Sequence, residues 1–193
     1  MAPLYPERFL KGLVFYGAYH TNPVNKAIHI VCVPAIYASA LVLLSALPVP
    51  FVPSIVATGL STVGLPAASA AHVVAGYYTG YYTYLTGFSV VGLSASALAA
   101  GALWGAGAWS AALGPKAMTA AAAVHVFSWV AQFYGHGAHE GRAPALLDNL
   151  FDALVLAPLF VWTEVLMGVG ALPKLHGIVE PRVSKALADF RKK

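Results

Sequence analysis

Two histidines, a glutamate and an arginine close a long apolar run in Gln132-Phe133-Tyr134-Gly135-His136-Gly137-Ala138-His139-Glu140-Gly141-Arg142-Ala143-Pro144. On an α-helix His136 and His139 lie one turn apart on one face, where two imidazoles can reach a single cation. Such a pair at a membrane helix end is expensive unless something occupies it. The stretch therefore reads as half of a metal site. A second pair, His20 and His29, lies nine residues apart. On one straight helix these two face opposite ways. The intervening Asn22-Pro23, a helix N-cap followed by a first-turn proline, lets two segments turn toward each other. The four histidines then converge if both pairs reach the same membrane face. Imidazoles suit iron, zinc, copper or nickel, and four of them without cysteine argue against a structural zinc.

The other three histidines have blander readings. His72 and His125 fall inside apolar segments, where a hydrogen-bonded packing role is the ordinary one. His125 also shares a stripe with Gln132 and His136, from which it could support a ligand or line a channel. His176 lies in a basic stretch and reads as solvated. Cys32 sits in an apolar run and reads as buried. No nucleophile elbow, phosphate-cradling loop or His-Glu-x-x-His pattern is present.

The elements that must position these residues follow from composition. Of 193 residues 59% are hydrophobic and 9% charged, against about 25% charged in soluble domains. No Asp, Glu, Lys or Arg occurs between Lys26 and Lys116, which leaves room for about three spans of roughly 20 residues. The fold class expected is all-α, a polytopic helical membrane bundle with four to five embedded helices in a single domain over 1–193. Residues 1–23 are a lead-in without a signal-peptide pattern. Helices are expected at 24–47, 54–76, 86–110, 117–139 and 146–167, with the tyrosines from Tyr77 to Tyr84 as an interfacial joint. Residues 174–193 form a basic tail. Arg8 and Lys11 near the start and Arg191-Lys192-Lys193 at the end place both termini in the cytosol. An even number of crossings follows, so 146–170 must re-enter or lie tilted, with Asp148, Asp152 and Glu164 on its polar side. Nothing points to nucleic acid, since no basic helix is interleaved with aromatics.

Phe15-Tyr16-Gly17-Ala18-Tyr19-His20-Thr21-Asn22-Pro23-Val24-Asn25-Lys26-Ala27-Ile28-His29, followed by Val33-Pro34, resembles the first signature of the fungal 2-hydroxy fatty acid dioxygenases. Gln132 to His136 and His139 to Leu146 resemble the second. The resemblance implies an Fe2+-dependent enzyme of the endoplasmic reticulum membrane. It implies ligation by His20, His29, His136 and His139, and removal of one carbon from a 2-hydroxy long-chain fatty acid by O2 during breakdown of phytosphingosine-derived chains. Arg142 or Lys26 is then the partner of the substrate carboxylate, with Arg the better bidentate one. Glu140 orients a ligand histidine, and His125 and Gln132 lie behind the ligands. Two other readings remain open at this point: another membrane metalloenzyme of the fatty acid hydroxylase kind, and a transporter whose histidines relay protons.

Overall fold

A computed structural model describes residues 4–50, 52–63, 67–141 and 150–190. Among the described residues the regular structure is helical: α1 (Glu7–Tyr19), α2 (Pro23–Leu44), α3 (Ser54–Thr62), α4 (Ala70–Thr86), α5 (Val90–Leu113), α6 (Ala117–Tyr134), a π-helical turn (Gly135–Glu140), α7 (Leu150–Gly168) and α8 (Pro173–Phe190). Arg142 and Asp148 lie outside the described residues.

The expected break between α1 and α2 forms as its residues dictate. The Asn22 side chain accepts from Val24 N–H at 2.8 Å, and Pro23 occupies the first turn, where no backbone donor is needed. Two helical runs are long and apolar enough to cross a membrane, Pro23–Leu44 and Val90–Glu140. The second, at 51 residues, is about 75 Å if straight, more than twice a bilayer core. It is folded back at Gly114-Pro115. α4 runs antiparallel to α2, since Ala70 N–H meets Leu47 and Tyr78 stacks on Tyr37. α5 returns antiparallel to α4, with Ser96 bonded to Thr79 and Gly92 packed on Thr86. α6 is antiparallel to α2, as Ser39 meets His125 near one end and Asn25 meets Gly135 at the other.

Two of the expected boundaries are corrected. The span expected at 54–76 divides into α3 and α4, because Ser69 N–H donates to His72 Nδ1 at 3.2 Å and starts a new helix at Ala70. His72 is thus a capping residue. The tyrosines from Tyr77 to Tyr84 are not a joint but lie within α4. Their periodicity carries them onto α7, which contains Pro158. Proline has no N–H for the carbonyl four residues back, that of Leu154. Tyr78 Oη donates to that carbonyl at 2.9 Å, and Tyr82 Oη donates to Val155 O at 2.8 Å. Five hydroxyl-bearing rings from Tyr77 to Tyr84 read locally as interfacial, whereas two of them serve carbonyls of the neighbouring helix around its proline.

α7 passes Tyr78 and Tyr82 at Leu154 and Val155 and reaches Glu164, which meets Lys26 at the end of the bundle that holds the α1–α2 break. It then bends by 112° into α8. The stretch expected as a polar tail is this helix, which packs on α1: a Cβ on Gly17 would lie 2.8 Å from Val183, and Arg182 pairs with Glu7 at 2.9 Å. The core at this end is Phe9 and Leu13 of α1, Leu159 and Phe160 of α7, and Leu175 of α8, all at most 4% exposed. It anchors α1, and therefore His20 at the C-terminal end of α1, against the bundle.

A candidate metal centre of three histidines

His20 ends α1, His29 stands on the second turn of α2, and His136 opens the π-turn after α6. All three are buried, at 5%, 3% and 2% exposure. Their ring centroids form a near-equilateral triangle with sides of 4.3, 4.9 and 4.9 Å. One nitrogen from each lies within 4.8 Å of the other two, close to the roughly 4 Å that two metal–imidazole bonds of about 2.1 Å can bridge. Tautomers are set by the backbone. His20 Nδ1 meets Tyr16 O at 2.8 Å, and His29 Nδ1 meets Asn25 O at 2.9 Å. A carbonyl only accepts, so each Nδ1 carries its hydrogen and each Nε2 carries a lone pair, as in metal sites whose histidines are oriented by a second hydrogen bond. Three neutral imidazoles without thiolate leave coordination positions open, which suits a catalytic rather than a structural ion. The residues therefore fit a metal.

The other expected site residues go elsewhere. His139 is half-buried and lies outside this group, its ring 5.6 Å from that of Tyr134. An α-helix continued to residue 139 would put His136 and His139 on one face. The wider π-turn, with its i→i+5 bonds, advances less angle per residue and separates the two rings. Lys26 is already paired: its Nζ lies 2.8 Å from Glu164, which also accepts from Tyr16 Oη at 3.4 Å. Interhelical neutralisation thus takes the charge expected to meet a substrate. His125 does not stand behind the ligands. Trp129 Nε1 donates to His125 Nε2 at 3.1 Å, so His125 Nδ1 is the protonated nitrogen that donates to Ser39 Oγ at 3.1 Å. Both ring nitrogens are consumed in packing.

Glu140 bonds to the segment that joins two of the ligand histidines. Its carboxylate accepts from Thr21 N–H at 2.7 Å, Thr21 Oγ1 at 2.7 Å, Asn22 N–H at 2.8 Å and Asn25 Nδ2 at 3.1 Å. It thereby ties the π-turn to the break between His20 and His29, and places an anion at the N-terminus of α2. Asn25, whose role no spacing in the sequence marks, is fully buried and joins Glu140 to the carbonyl that orients His29. Gly135 was equally silent. A Cβ there would sit 2.5 Å from Asn25 Oδ1 and 3.2 Å from Ile28. Gly135→Ala is expected to destabilise the protein by about 1–3 kcal/mol through overpacking, read as a lowered melting temperature in detergent, and to weaken metal binding. An unchanged melt would show that α2 and α6 can part without consequence.

The triad opens on a cavity of about 920 Å³. Gln132, one turn before His136, lines it and is 8% exposed, with its amide Nε2 buried and without a hydrogen-bond partner. The walls below are apolar and aromatic, which suits a hydrocarbon ligand.

Residues 7–169 match the family described as 2-hydroxy-palmitic acid dioxygenase Mpo1-like. The chain belongs to that family. A relative from Saccharomyces cerevisiae, the 2-hydroxy-palmitic acid dioxygenase MPO1, is 50% identical over 52 residues, which are 27% of this Mpo1-like chain and 30% of the yeast protein. No solved structure matches the chain.

Proposed function

We propose that this Mpo1-like protein is an iron(II)-dependent membrane dioxygenase that converts a 2-hydroxy long-chain fatty acid to the acid one carbon shorter. The observation that carries the reading is the buried three-histidine cluster at the head of a large apolar cavity. The family relationship and the name of the yeast relative support the substrate class. Among the described residues this is the one group of three potential ligands, which disfavours the two-iron hydroxylase reading with its larger ligand set.

The overall change is balanced: hydroxy acid plus O2 gives the shorter acid, CO2 and water, with no external reductant. When bound, iron(II) supplies the Lewis acidity and electron transfer through which the hydroxy acid and O2 react. The protein's residues do the rest. Neutral His20, His29 and His136 leave the positive charge of the site intact for a carboxylate. Gln132 Nε2 supplies a donor for an oxygen of the acid, which satisfies an amide that is otherwise costly to bury. The apolar walls exclude water from the reacting end. Arg142 remains the proposed carboxylate partner. The triad lies at the end of the bundle that carries α1 and α8, and we assign that end to the cytosolic face of the endoplasmic reticulum membrane.

Protein loaded with iron(II) under anaerobic conditions and then given O2 and 2-hydroxypalmitate is expected to release one CO2 and one pentadecanoic acid per O2 consumed. Equal turnover by metal-free protein, or O2 uptake without CO2, would overturn the proposal.

A further inference from the structure

The residues that line the cavity lead away from the triad along two directions, its two arms. One runs down adjoining faces of α2 and α6, which are bonded to each other through Ser39 and His125, and is faced by Tyr78 of α4 and Leu154 of α7. It is lined on α2 by Val33, Tyr37, Ala40 and Leu44, which repeat at the spacing of one helical face below His29. On α6 it is lined by Trp129 and His125, below Gln132. The polar atoms of His125 and Trp129 are bonded to each other and to Ser39, so this wall offers a ligand hydrocarbon contact. The other arm follows α1 past Phe15 and Gly12 to Lys11 and Arg8. A hydrocarbon tail ending on a guanidinium and an ammonium would desolvate both.

We infer that the arm along α2 and α6 holds the acyl tail, and that Ala40, Leu44 and Val74 at its far end set the chain length accepted. This rests on the reading of the site as a 2-hydroxy acid oxidase. At 1.5 Å per residue, Ala40 lies about 16 Å and Leu44 about 22 Å along α2 from His29. One leaflet of a bilayer's hydrocarbon core is about 15 Å deep, the reach of a long membrane acyl chain. A tail whose head sits at the triad thus ends between Ala40 and Leu44, where Val74 of α4 lines the same space. Trp129, seven residues before His136, stands roughly 10 Å down the arm.

Two measurements test this. A 2-hydroxy acid brominated near the middle of its chain, added to metal-free protein, is expected to quench tryptophan fluorescence, and Trp129→Phe is expected to remove most of that quenching. Ala40→Phe is expected to lower kcat/KM for 2-hydroxypalmitate by about tenfold or more, since each expelled methylene loses its burial. The same variant should keep kcat/KM for 2-hydroxydecanoate within about threefold, which also shows that it folds. Quenching that survives Trp129→Phe, or an unchanged chain-length ratio in Ala40→Phe, would overturn the assignment. Quenching at Trp129 with no CO2 from any 2-hydroxy acid would uphold the tail arm while refuting the oxidase reading.

Discussion

His136→Ala is expected to lose bound iron and to lower turnover by at least about 100-fold, beyond the 10–100-fold usual for outer partners of a metal ligand. His20→Ala and His29→Ala should do the same. His139→Ala is expected to keep its iron and most of its activity, because its ring packs by Tyr134 and not in the triangle. The contrast is the point of the experiment, since the family resemblance implies four ligands and the geometry assembles three. Iron content per chain, measured on protein that still elutes as one species in detergent, reads the difference. Loss of iron in His139→Ala equal to that in His136→Ala would mean that the π-turn rewinds on loading and brings a fourth imidazole in.

The second large effect is expected at Glu140, the clamp on the segment between His20 and His29. Glu140→Ala removes the acceptor of four hydrogen bonds from Thr21, Asn22 and Asn25. Two backbone donors at the N-terminus of α2 then lose their partner, and the segment joining His20 to His29 is released. Iron affinity is expected to fall by about 10–100-fold, with faster amide exchange at Thr21 and Asn22. Glu140→Gln keeps one carbonyl acceptor and should fall between. Affinity and exchange unchanged in Glu140→Ala would show that α1 and the α2 N-cap hold the break without the clamp.

Much of this architecture is local and was therefore legible. A charge-free stretch from Lys26 to Lys116 demands apolar surroundings whatever its tertiary contacts. Asn22-Pro23 starts a helix because both residues act on their own backbone. The histidine spacing on either side of that break was enough to suggest convergence, and His20, His29 and His136 do meet.

What the tertiary structure decided are the matters in which a residue's partner is remote in the chain. Lys26 finds Glu164, the tyrosine hydroxyls find the carbonyls of α7 around Pro158, and Glu140 finds Thr21 to Asn25. Each pairing satisfies a charge or a backbone group that becomes costly only when packing removes water. The place of His139 is the sharpest case. Periodicity assigns a face by assuming one helical pitch, but Gly135 must let α6 close on Asn25, and the helix beyond it widens into a π-turn. The pitch there belongs to the turn as it packs against α2, so composition and spacing could bring the histidine to the site but not turn its ring inward.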